Sequence, residues 1–212
     1  MIGVMIFALV VVQPASIEKQ DEPPETNDII IEAGIPVEYV FDQSLDLQMP
    51  QLPTGCEATA MSTLLRMNGL MYTKFEIADA MPKSEWDFVT CFRGDPYSPY
   101  GWACMAPCAT NTVNSLLGDG VFCAEDMTGT ELDELPIPCA VWVTIDLSVP
   151  QYLSEQDGYL MTRTNHCMVL TEIDGSYVKV VDPLKGVTEY PLDTFESVYN
   201  TLGKQAVYIK EL

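Results

Sequence analysis

The sequence holds a single histidine, His166, so imidazole chemistry has one address and a histidine-rich metal centre is excluded. Structural zinc is equally out of reach: Cys104 and Cys108 make one pair near ligand spacing, and no second pair accompanies it. Basic residues are scarce, 10 against 31 acidic ones, for a net charge of −21. A chain so poor in Lys and Arg does not neutralise phosphates, which excludes nucleic acid as a partner. The same charge suits solubility outside a cell and steers a cationic peptide toward the surface. Long hydrophobic runs are missing too. The longest, Ile2 to Val12, falls short of the roughly 20 residues that cross a bilayer and reads as the apolar part of a secretory signal or an anchor, over 1–15. Internal repeats are absent, and the only biased stretch is acidic and proline-bearing (IEKQDEPPETND), a tether over 16–34. The rest, 35–212, is expected to fold as one extracellular, monomeric domain whose only link to a membrane would be the N-terminal segment.

Seven cysteines are present. In an exported chain an odd count leaves at least one thiol unpaired, and Cys56 is the candidate. Cys91, Cys104, Cys108, Cys123 and Cys139 cluster in the middle third, where they are available for disulfides of undetermined connectivity.

The two halves of the domain differ in pattern. From Cys56 to about Gly120 the signals are helical, interrupted by the loop RGDPYSPYGWACMAP. After Ile137, runs of β-branched and aromatic residues predict strands at Cys139 to Ile145, His166 to Glu172, Tyr177 to Val181 and Ala206 to Lys210, with a helix near Leu192 to Leu202. Helices first and strands after imply an α+β fold.

Thr54-Gly55-Cys56-Glu57 has the form of a capping box, with Thr54 as N-cap and Glu57 as the third helical residue. Ala58, Met61, Leu64 and Leu65 then recur at helical spacing until Asn68-Gly69 ends the helix. Cys56 in the first turn meets unpaired N–H groups and the positive end of the helix dipole, which favour thiolate over thiol. The same N–H groups suit an oxyanion if a side-chain amide joins them, and Gln48 and Gln51 are the amides upstream.

His166 opens an apolar run that turns at Asp174-Gly175 and returns as YVKVVD, ending at Asp182. A three-residue loop, Ile173 to Gly175, would set His166 opposite Asp182, whose carboxylate then fixes the ring. A two-residue Asp174-Gly175 turn would oppose Cys167 to Asp182 and send the histidine to the other face. Asn165 is a second candidate for the orienting group. Tyr97, Tyr100 and Trp102 offer a cleft wall, packing or binding contacts.

The blocks LQMPQLPTGCEATAMSTLLRMNG, FRGDPYSPYGWACMAP, NHCMVLTEID and VVDPLKGVTEYPLDTFESVYNTLGKQAV resemble the papain-like cysteine peptidases related to the bacteriocin-processing peptidase domains. The resemblance implies a bacterial thiol hydrolase of that fold acting on peptide or peptide-like amide bonds, which the N-terminal segment would make a secreted or cell-surface one. It also implies Cys56 as nucleophile, His166 as base, Asp182 as orienting acid and Gln48 as oxyanion-hole amide, with Gln51 second. No cofactor or metal is called for. Relatives joined to exporters cleave leader peptides after a double glycine, a specificity not carried over to this chain. An acyltransferase and a non-catalytic binding module on the same fold are the competing readings.

Overall fold

Cys139 to Thr144 is buried at every position, because both faces of the strand it forms are covered. Ala140 and Trp142 point into one apolar cluster, while Cys139, Val141 and Val143 point into another. A strand covered on both sides reads as a continuous apolar run instead of an alternation.

The computed structural model describes residues 47–212, so the leader and tether expected over 1–34 and the first residues of the domain lie outside the described residues. The helices are α1 (Cys56–Met67), α2 (Lys74–Ala80), α3 (Ala106–Leu117) and α4 (Leu192–Thr201). The strands are β1 (Lys83–Ser84), β2 (Phe92–Arg93), β3 (Phe122–Asp126), β4 (Cys139–Thr144), β5 (Ser154–Gln156), β6 (Tyr159–Met161), β7 (Asn165–Asp174), β8 (Tyr177–Asp182), β9 (Gly186–Pro191) and β10 (Ala206–Glu211). Six of them form an antiparallel sheet in the order β3-β10-β4-β7-β8-β9. Residues of α1 and α3 share one core with Trp142, Cys167 and Val169, and Phe195, Val198 and Tyr199 of α4 share the other with Met168, Leu170 and Val180. This is the expected α+β arrangement, with β4, β7, β8, β10 and α4 close to their predicted spans. Among the described residues no helix is long and apolar enough to cross a membrane.

The β7–β8 hairpin departs from both expected registers. Its turn is Gly175-Ser176, since Asp174 pairs with Tyr177, Ile173 with Val178 and Glu172 with Lys179. Continued unchanged, that register would set Asp182 opposite Val169 and leave His166 on the other face. A bulge at Thr171 prevents this: beyond it Leu170 pairs with Val180 and Val169 with Val181, which brings Met168 opposite Asp182. Thr171 Oγ1 donates to the Lys179 carbonyl at 3.0 Å beside the extra residue. His166 and Asp182 thus become diagonal neighbours on one face, within reach of each other.

The expected capping box is also replaced. Gly55 is the N-cap of α1 and makes no side-chain cap bond, so Cys56 and Glu57 are the first two helical residues. Thr54 Oγ1 donates instead to the carbonyls of Ser98 (3.0 Å) and Asp95 (3.3 Å), tying the glycine loop to the start of the helix. A Cβ at Gly101 would collide with Thr54 Oγ1 and the Asp95 carbonyl, so only glycine admits that closure. The capping box forms at Thr73 and Glu76, on α2. Asn68-Gly69 ends α1 as expected, with Gly69 at φ 76°.

All seven cysteines are free thiols, in place of the expected disulfides. Cys56, Cys104, Cys108, Cys139 and Cys167 are buried, packed as small apolar side chains.

Candidate active site

The first turn of α1 places Cys56 on the floor of a cleft of ≈ 450 Å³, whose lining also includes His166, Gln48, Asn165, Thr54, Trp102, Tyr100 and Arg163. Separated pieces of chain meet there, those of Ile145 and Leu184 among them. Gln48 enters from the segment before α1, the glycine loop supplies Tyr100 to Trp102, the turn before β7 supplies Thr162 and Arg163, and the start of β7 supplies Asn165 and His166.

His166 is 1% exposed, and its Nε2 lies 2.8 Å from Asp182 Oδ1. The same oxygen accepts the Leu184 N–H at 2.8 Å, and Oδ2 accepts the Tyr190 hydroxyl at 3.1 Å. Lys185 Nζ stands 3.7 Å from Oδ2 and donates to Tyr190 Oη at 2.8 Å. Burial would raise the Asp182 carboxyl, but the His166 hydrogen bond and charge, the Leu184 N–H and Lys185 together hold it below the usual range. An ionised Asp182 only accepts, so Nε2 carries the proton and the Nδ1 lone pair is left to act as a base. Tyr190 and Lys185 were not singled out in the sequence. Their signal was faint, a Lys three positions and a Tyr eight positions beyond Asp182, and it needed the β8–β9 pairing to acquire meaning.

Gln48 is buried, with its backbone N–H donating to the Pro183 carbonyl at 2.9 Å, one residue beyond Asp182. Its Nε2 donates to the Pro53 carbonyl at 3.1 Å, and an amide nitrogen has a second hydrogen to offer. Gln51 is exposed, accepts from Lys74 Nζ at 3.1 Å and is not part of the cleft lining. Asn165 is buried beside the histidine but approaches the Glu57 carboxyl, whereas the ring pairs with Asp182.

Glu57, read from the sequence as a capping residue, is fully buried beneath Cys56. Its Oε2 accepts the Cys56 thiol at 3.2 Å and its Oε1 accepts the Cys104 N–H at 3.1 Å. Burial pushes its carboxyl up to about 7 against the hydrogen bonds that favour the ion. Burial first, and then the Glu57 charge, push the Cys56 thiol well above its ordinary value, opposed by the Cys167 backbone N–H. The expected pull of the helix start toward thiolate is therefore outweighed in this resting arrangement. Cys167, next to His166 in the sequence, is buried in the same core as Cys56.

Trp102 carries two guanidinium groups, Arg93 at 4.4 Å and Arg163 at 4.9 Å from the ring centroid. Tyr100 projects from the cleft rim, 88% exposed, and Tyr97 turns away to donate to Asp79 at 2.8 Å. Among the described residues no group of His, Cys, Asp and Glu is arranged to hold a metal ion.

No curated protein matches the chain. Among solved structures, a putative C39-like peptidase from Bacillus anthracis superposes with a TM-score of 0.70 at 23% identity, over 78% of this chain and 93% of that one. A double-glycine-motif protease from an AMS/PCAT transporter, solved with its leader peptide, superposes with a TM-score of 0.50 at 16% identity, over 78% of this chain and 89% of that one. Both likenesses are of fold, the papain-like C39 peptidase fold. Residues 35–207 match the model of the Peptidase_C39 like family, and the chain belongs to that family of cysteine peptidases.

Proposed function

We propose that the protein hydrolyses peptide or peptide-like amide bonds, with Cys56 as nucleophile, His166 as base and Asp182 as the group that orients it. The observation that carries this reading is the buried His166–Asp182 pair at 2.8 Å on the cleft that holds Cys56 at a helix start. The Cys56 proton passes to His166 Nδ1, and the sulfur attacks the carbonyl carbon. The oxyanion takes the Cys56 N–H and the second Gln48 amide hydrogen. As the C–N bond breaks, His166 gives its proton to the leaving amine. A water molecule deprotonated by the same ring then splits the thioester, releasing the acid and restoring the thiol.

A peptide substrate is supported by the leader peptide bound to the AMS/PCAT transporter protease of similar fold. Export is proposed on the apolar run Ile2 to Val12 and the acidic composition.

The reading is tested by measuring the rate of Cys56 carboxamidomethylation by iodoacetamide against pH, in the wild type and in His166→Ala, with the other six thiols mapped by mass spectrometry. Because burial and the Glu57 charge hold the resting thiol up, reaction of Cys56 at neutral pH, below the ordinary thiol value of about 8.5, requires transfer of its proton to His166; that reactivity is expected in the wild type and is lost in the variant. Equal, slow profiles in both proteins would leave a papain-like binding domain.

Gln48→Ala is expected to lower kcat by about 10²-fold with a small change in KM, because the donor is used only once the oxygen carries charge. Steady-state kinetics on any cleaved peptide checks this, and a change confined to KM would remove Gln48 from the oxyanion site.

A further inference from the structure

The cleft above Cys56 continues into a second one of ≈ 600 Å³, and Trp102, Thr162 and Arg163 belong to both walls. In a chain of net charge −21, neither cleft is lined by a carboxylate of the described residues. Among the described residues Arg163 is the only Lys, Arg, Asp or Glu in either lining.

Among the described residues Arg163 makes no ion pair, whereas Lys83, Lys185, Lys204 and Lys210 each pair with an acid. Its guanidinium is held against the Trp102 ring, with Arg93 on the same ring. Two of the three arginines in the sequence are therefore gathered on one tryptophan at the site. Stacking limits the freedom of the Arg163 side chain and leaves its N–H donors in the groove, which is the geometry that receives a carboxylate. Arg163 also lies three residues before His166 on the same segment, so its distance from the reacting bond is fixed by the turn Thr162 to Asn165.

We propose that the joined clefts form the substrate groove and that Arg163 selects a peptide carrying one carboxylate, an Asp or Glu side chain or a chain terminus, a few residues from the scissile bond. The inference rests on the peptidase reading and adds the substrate class. It runs against the long-range field, which favours cationic peptides, because that field is screened within about 8 Å at physiological salt while the groove contact is made at bonding distance. The fitting substrate is one acid in an otherwise neutral or basic peptide.

The test uses N-blocked peptidyl acyloxymethyl ketones on one scaffold, with Glu, Gln or Lys placed in turn at each position. The second-order rate of Cys56 labelling is read by intact mass and peptide mapping. At one position the Glu probe is expected to label about tenfold faster than the Gln probe. That ratio falls to about one in Arg163→Gln, and Lys becomes the faster probe in Arg163→Glu. Each variant is its own reference, because the ratio compares probes on the same protein. Labelling with equal Glu and Gln rates at every position, or a Glu preference that survives Arg163→Gln, overturns the inference and leaves the peptidase intact. Failure of every probe to label Cys56 overturns both.

Discussion

His166→Ala is expected to reduce turnover of a cleaved peptide by roughly 10⁴-fold or more, while Asp182→Asn costs about tenfold and Asp182→Ala about 10²-fold. The histidine has no substitute in the sequence. Without it the Cys56 proton has no acceptor except Glu57, whose carboxylate disfavours the thiolate. The position of Asp182 requires an acceptor for the Nε2 proton more than it requires a charge. An asparagine fits with its oxygen toward His166 and the Leu184 N–H and its amide toward Tyr190 Oη, which keeps the ring in the productive tautomer. Alanine leaves the ring free to rotate and Lys185 without its counter-ion. Initial rates for the three variants decide the matter. A loss in Asp182→Asn as deep as in His166→Ala would mean that the charge, and not the tautomer, is what Asp182 provides.

Strands β4, β7 and β8 were legible in the sequence because each is an apolar, β-branched run ended by Asp, β10 because it is a short run of the same kind, and α4 because Leu192, Phe195, Val198, Tyr199 and Leu202 recur at helical spacing before Gly203. Strands β3 and β9 were not, since their patterns (FCAED and GVTEYP) are half-exposed and broken by charge. Pairing of His166 with Asp182 was legible as a possibility only. The turn falls one residue later than either expected form, at Gly175-Ser176, and the face is then restored by a bulge at Thr171. Nothing in HCMVLTEID marks Thr171 as the extra residue, because a bulge is selected by the pairing partner as much as by its own side chain.

The misread start of α1 has a related cause. A Thr three residues before a Glu scores as a capping box wherever it stands, but the hydroxyl of Thr54 has two carbonyls of a distant loop to serve. Local spacing carries no information about Asp95 and Ser98. Glu57, released from the cap, turns into the core under the thiol, where among the described residues it is the one buried acid with no basic partner.

That position gives Glu57→Gln a large and directional effect. The Glu57 carboxyl ordinarily titrates near 4.5 and is pushed up to about 7 in the fold. Between these values the folded protein keeps a proton that the unfolded chain has released, so the contribution of Glu57 is fully present below about 4.5 and is lost as pH rises through 7. The difference corresponds to about 3 kcal/mol of stability lost once the pH is above 7. Glutamine keeps an oxygen for the Cys104 N–H and places an amide beside the Cys56 sulfur, without the charge. Urea unfolding is therefore expected to show the wild type weakening from pH 5 to pH 8, with the variant nearly flat and the more stable of the two at pH 8. The same change reaches the sulfur. A protonated Glu57 donates to the thiolate and an ionised one repels it, so wild-type alkylation at Cys56 should level off or fall above pH 7, and Glu57→Gln should keep rising. If the two proteins share one stability profile and one alkylation profile, the buried carboxyl is not coupled to the site, and the raised thiol must be attributed to burial alone.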